Sequence, residues 1–77
     1  MASLVYFEKV GEDDQRLRYK FGFDDQNMGR ILTLDKETRK SEPEDGQIDY
    51  EFLKASRKIN GTFTDEGRWP ERGCHAS

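Results

Sequence analysis

The sequence is poor in the residues that most often carry chemistry. Its 77 residues include one cysteine, Cys74, and one histidine. A single cysteine cannot form a disulfide within the chain, and one cysteine with one histidine cannot supply the four ligands of a structural zinc site. We therefore expect a domain that folds by side-chain packing alone and binds no metal or other cofactor.

Long apolar segments are missing as well. The longest, from Leu4 to Phe7, is far shorter than the ~20 residues that a membrane-spanning helix needs, and no basic segment precedes it as in a secretory signal. The sequence therefore predicts a cytoplasmic protein with no membrane association.

Basic residues are outnumbered, with 13 Lys and Arg against 16 Asp and Glu and a net charge of −3. Apolar residues make up only 32% of the chain and charged residues 38%, which approaches the composition of disordered proteins. Disordered proteins also tend to carry a large net charge, whereas this net charge is small and 12% of the residues are aromatic. We expect one small folded domain with a thin core.

The first half of the chain predicts three strands, at residues 3–10, 16–23 and 30–35. The first strand is apolar on both faces. The connections are about five or six residues long, which suits hairpins and an antiparallel meander. The second strand alternates regularly, and its core-facing residues are Leu17, Tyr19, Phe21 and Phe23.

The second half predicts a loop and then a helix. Residues 36–47 contain no large apolar side chain, which indicates a solvated loop. Asp49 is suited to cap a helix at its N-terminus, and Asn60-Gly61 to end it. We expect about ten to twelve helical residues from Asp49. The apolar stripe, at helical spacing, comprises Ile48, Phe52, Ala55, Ile59 and Phe63.

These elements predict an α+β fold in which a three-stranded antiparallel meander packs on one C-terminal helix (β-β-β-α). Residues 1–64 would form the single domain. Residues 65–77 would form an irregular tail, which could dock on the domain through Trp69.

The face of the sheet opposite the helix would be left uncovered, and we expect Val5 and Phe7 to point to it. The tail could cross this face and bury Trp69 against them, two copies could pair through it, or it could bind another protein. An edge strand with a free backbone also favours pairing with another chain. The candidate partner surface is therefore Val5, Phe7 and Trp69.

A basic row is the second candidate surface. Arg16, Arg18 and Lys20 project from one face of the second strand at ~6.6–6.8 Å intervals, a spacing that can follow a phosphate backbone. Arg30 on the third strand could join the row. The net negative charge weighs against nucleic-acid binding, and pairing with Glu8 or Asp35 would neutralise the row.

Several segments resemble short uncharacterised proteins of actinobacteria. These are residues 19–24 (YKFGFD), 32–36 (LTLDK), 53–59 (LKASRKI) and 69–73 (WPERG). The resemblance implies a cytoplasmic bacterial protein and brings no activity and no catalytic or binding residue with it.

No catalytic constellation, phosphate-binding loop or small-molecule site is evident in the sequence. We expect a non-enzymatic protein-interaction module, a homodimer or an accessory subunit, with nucleic-acid binding through the basic row as the alternative. The position of Trp69 is the observation that would best discriminate these surfaces.

Overall fold

The fold is an antiparallel sheet of five strands covered on one face by a single helix. The computed structural model describes residues 4–24, 26 and 28–76, with only the backbone at residues 75 and 76. The sheet order is β4-β3-β2-β1-β5. The elements are β1 (Leu4–Glu12), β2 (Arg16–Gly22), β3 (Arg30–Asp35), β4 (Ser41–Pro43), α1 (Tyr50–Glu66) and β5 (Arg72–Ala76).

The predicted meander is confirmed as the centre of a larger sheet. β2 pairs with β1 on one side and β3 on the other. Its alternation places Leu17, Tyr19 and Phe21 in the core, each fully buried. Phe23 lies beyond the end of β2 and is 54% exposed, so its assignment to the core is wrong. Ser3, the predicted start of the first strand, lies outside the described residues.

The orientation predicted for β1 is also wrong. Phe7 lies directly opposite Phe21 in the β1–β2 register, and directly opposed residues of antiparallel strands share a face. Val5 and Phe7 therefore point toward the helix. A bulge between Lys9 and Gly11 takes Val10 out of the alternation and leaves it 49% exposed.

Helix α1 begins as predicted and ends later. The Asp49 carboxylate accepts the backbone N–H of Phe52, which caps the N-terminus. The helix passes through Gly61 and ends at Gly67, whose φ of 76° suits a residue without Cβ and whose N–H bonds to the Phe63 carbonyl. The predicted domain boundary between residues 64 and 65 therefore falls inside α1.

Two strands lie where the sequence predicts none. β4 lies within the predicted loop at 36–47 and pairs with β3. β5 lies within the predicted irregular tail and pairs with β1, so the tail is part of the sheet. The core between sheet and helix consists of Val5, Phe7, Leu17, Tyr19, Phe21, Leu32, Leu34, Phe52, Ala55 and Ile59.

Candidate interaction surfaces

The predicted apolar partner surface does not exist as an open patch. Val5 is fully buried, and the ring of Phe7, 2% exposed, meets Tyr19 edge-on with the centroids 5.8 Å apart. Trp69 is partly buried against the same core and stacks on Phe63, with the ring centroids 4.0 Å apart. Val5 and Phe7 therefore belong to the core between sheet and helix and do not form an apolar patch on the uncovered face.

Two contacts of the segment after α1 position β5. Trp69 stacks on Phe63 of the last helical turns, and the Tyr19 hydroxyl donates a 2.7 Å hydrogen bond to the carbonyl oxygen of Pro70. Burial, with the nearby charges of Glu12 and Glu71, raises the pKa of Tyr19 well above its ordinary value, so the hydroxyl keeps its proton. These anchors lead the chain back to β1, where residues 72–76 pair.

The basic row lies on the uncovered face, where acidic side chains engage most of it. Arg18 lies 2.6 Å from the Glu44 carboxylate, and Lys20 lies 3.1 Å from Glu8. Arg16 lies opposite Asp35 in the β2–β3 register, and its charge contributes to the lowered pKa of Asp35, which results mainly from backbone hydrogen bonds at residues 37 and 38. Cross-strand pairing thus leaves little unneutralised positive charge along the row.

Arg30 does not join that row. It lies opposite Phe21 and therefore on the covered face, with its guanidinium 4.8 Å from the Phe21 ring centroid. It donates hydrogen bonds to the carboxylates of Asp45, Asp49 and Glu51 at 2.7–3.1 Å. These bonds raise the pKa of Arg30 and hold the pKa values of Asp45 and Asp49 below their usual range. Arg30 thus ties β3 to the start of α1.

The two edges of the sheet differ in what they offer another strand. At β4, the Asp35 N–H bonds to the Lys40 carbonyl and the Glu44 N–H bonds to the Ile31 carbonyl. These bonds determine which β4 residues direct their backbone groups toward β3 and which direct them outward. Ser41 and Pro43 therefore direct their backbone polar groups outward. Proline has no N–H, so this three-residue edge presents a single donor, that of Ser41.

The opposite edge has no such protection. The Lys9 N–H bonds to the Glu71 carbonyl at 2.7 Å in the same register that pairs Phe7 with Gly73. Residues 71, 73 and 75 therefore direct their backbone groups toward β1, and Arg72, Cys74 and Ala76 direct theirs outward. This five-residue edge has no proline and one charged side chain, Arg72, and such edges invite pairing with another chain.

A groove of about 550 Å³ runs beside this edge, between β5 and α1. The helix lies over β1, β2 and β5, close to this side of the sheet. Phe7 and Trp69 supply apolar surface to the groove, while Lys58, Thr62 and Glu66 line its helical wall. A strand added to β5 would therefore meet an apolar recess and charges of both signs.

Sequence reasoning missed both the β5 edge and the groove. The segment 72–76 contains no large apolar residue and no alternation of apolar and polar residues. Its pairing with β1 therefore depends on contacts with the rest of the folded chain, which the local sequence does not reveal. Cys74, for which the sequence analysis excluded only a disulfide within the chain, is exposed at the centre of β5.

Over residues 4–24, 26 and 28–76, no group of three or more His, Cys, Asp or Glu side chains is placed to hold a metal ion. Within the same residues, no helix has the length and apolar character to cross a membrane. No family model, curated protein or solved structure matches this chain.

Proposed function

We propose that this protein is a cytoplasmic, non-enzymatic protein-interaction module that binds an extended partner segment along β5. The observation that carries the proposal is the contrast between the two sheet edges. β4 is short and lacks an outward N–H at Pro43, whereas β5 presents the outward N–H and C=O groups of Arg72, Cys74 and Ala76. Strand addition at such an edge is a common mode of peptide recognition.

The affinity of such an interaction would come from two sources. Each backbone hydrogen bond contributes about 0.5–1.5 kcal/mol net, and alternate side chains of the added strand would enter the groove beside Phe7 and Trp69. The backbone bonds are independent of sequence, so selectivity would come from the groove.

Nucleic-acid binding through Arg16, Arg18 and Lys20 is the weaker candidate. Binding a phosphate backbone requires cations that can exchange their counterions for phosphates. Arg18 and Lys20 already pair with Glu44 and Glu8, and the chain has a net charge of −3. The described contacts therefore favour a protein partner.

A selection from a library of displayed extended peptides tests this function. The target is the wild-type protein, and the matched variants are Cys74→Ser, which keeps the outward N–H, and Cys74→Pro, which removes it. We expect enriched peptides to bind wild type and Cys74→Ser alike and to lose at least about tenfold in affinity for Cys74→Pro.

Circular dichroism and Trp69 fluorescence serve as controls that Cys74→Pro remains folded. Peptides that bind the proline variant equally well would show that the β5 edge is not the binding element. If no peptide is enriched and the protein also does not self-associate through β5, the proposed function is wrong.

A further inference from the structure

We infer that the strand received by β5 is β5 of a second copy of this chain, related by a two-fold axis perpendicular to the sheet. The inference rests on the proposed use of the β5 edge and names its occupant. The five strands of each copy would then form one continuous antiparallel sheet, with both helices on the same face.

The hydrogen-bond alternation restricts the register of such a pairing. Two antiparallel strands related by a two-fold axis pair residue by residue about one central position. A residue whose backbone N–H and C=O point outward must lie opposite another such residue for hydrogen bonds to form. Centring the axis on Cys74 opposes Arg72 to Ala76 of the second copy and uses all of β5. About six backbone hydrogen bonds would form between the two strands.

The side chains in this register are compatible with self-pairing. Arg72, the charged residue of β5, meets Ala76 of the second copy, so no like charges are directly opposed. Cys74 lies opposite its own copy. The Cα atoms of a directly opposed, hydrogen-bonded pair are about 5.5 Å apart, so oxidation can link the two thiols once a small shift of the edge strands brings the Cβ atoms within about 4.5 Å.

The helical wall of the groove supports the same symmetry independently. Lys58, Thr62 and Glu66 are spaced by four residues and therefore follow one flank of α1. They line the groove together with residues 72–74 of β5, the stretch nearest the inferred axis. A two-fold axis makes the two helices antiparallel, so Lys58 on one flank would face Glu66 on the other when Thr62 lies near the axis.

The distances allow these side chains to meet. Strands are ~4.8 Å apart and α1 lies over β1 and β5, so the two helix axes would lie about 10–14 Å apart. Lys and Glu side chains span such a gap. Neither Lys58 nor Glu66 forms an ion pair with another described residue, and a two-fold interface requires a surface complementary to itself.

Sedimentation equilibrium under reducing conditions tests the pairing by charge reversal. We expect Lys58→Glu or Glu66→Lys alone to raise the dimer dissociation constant about tenfold, because like charges then face each other. The double variant should restore it to within about threefold of wild type. Arg57→Glu, also on α1 and exposed, is the control and should change little.

Two further measurements define the outcome. Mild oxidation should cross-link wild type through Cys74, whereas Cys74→Ser should dimerise without cross-linking and Cys74→Pro should be monomeric. A wild-type protein that stays monomeric at millimolar concentration overturns the inference, as does a dimer unaffected by Cys74→Pro and by both charge reversals. A monomer that still binds peptides along β5 would overturn the inference while leaving the proposed function intact.

Discussion

At the scale of single residues, Arg30 makes the densest set of polar contacts around the start of α1. Its side chain is 19% exposed and reaches Asp45, Asp49 and Glu51, of which the Glu51 side chain is 13% exposed. The sequence offered Arg30 only as a further member of the basic row. Alternation within β3 places Arg30 on the same face as the fully buried Leu32 and Leu34, and its register opposite Phe21 agrees.

Replacing Arg30 tests whether its contacts with the three carboxylates stabilise the fold. We expect Arg30→Gln to lower the free energy of unfolding by about 2 kcal/mol, since it leaves three carboxylates clustered without their cation. Arg18→Gln is the control, because its exposed ion pair with Glu44 should contribute under about 1 kcal/mol. Urea denaturation at pH 7 measures both, and equal effects of the two changes would contradict this role for Arg30.

Lys54 is a second residue whose position the sequence did not indicate. It is 6% exposed on the buried side of α1, and its Nζ has no hydrogen-bond partner among the described residues. The ammonium lies 4.6 Å from the centroid of the Tyr50 ring. A buried polar atom without a hydrogen bond costs about 1–3 kcal/mol, which the interaction with the ring offsets in part.

We therefore predict that Lys54→Met stabilises the protein by about 1 kcal/mol, because methionine fills a similar volume without a charge to desolvate. Arg57→Met, at an exposed position of the same helix, should change the stability by less than about 0.5 kcal/mol. Chemical denaturation provides the measurement. A loss of stability in Lys54→Met exceeding that in Arg57→Met would show that the ammonium itself stabilises the fold.

At the scale of elements, the sequence predicts those whose signals are local. The bounds of β3 and the alternation of Leu17, Tyr19 and Phe21 follow from side-chain periodicity, and Asp49 marks the helix start. Which side of β1 faces the helix was not predictable, because apolar residues occupy both sides of the strand. The pairing of Phe7 opposite Phe21 places the Val5 and Phe7 side in the core. The sequence predicted that the helix ends at Asn60-Gly61, but α1 continues to Glu66. The added turns place Phe63 against Trp69, a tertiary contact that local sequence signals do not show.

The pairing of β5 with β1 depends on a close approach at Gly73. A Cβ placed there would lie 2.9 Å from the tip of the Phe7 ring, whereas a Cβ at Gly61 would meet nothing within 4 Å. We expect Gly73→Ala to destabilise the protein by about 1–3 kcal/mol, since the buried Phe7 has little room to move. Gly61→Ala should stabilise it by up to about 1 kcal/mol, because glycine is a poor helix former.

Thermal unfolding of the two alanine variants, followed by circular dichroism, measures this difference. Gly61→Ala also controls for the general effect of replacing glycine by alanine. A Gly73→Ala protein as stable as wild type would show that β5 does not lie against Phe7 at this distance.

At the scale of the whole molecule, the sheet is covered by α1 on one face and its edges are unequal. The 32% apolar content suffices for one core between helix and sheet. The uncovered face carries cross-strand ion pairs such as Glu8 with Lys20, whereas β5 directs the backbone groups of Arg72, Cys74 and Ala76 away from the sheet. This whole-molecule property was not visible in the sequence, because β5 becomes an edge only through its pairing with β1.

Amide hydrogen exchange along β5, followed by NMR under reducing conditions as the protein concentration is raised, tests the use of this edge most directly. The Gly73 and His75 amides face β1 and should be protected at every concentration. The Arg72, Cys74 and Ala76 amides face outward and should exchange rapidly in dilute protein, then become protected as dimers form. Outward amides that remain unprotected at the highest concentration would contradict the pairing of two copies through β5.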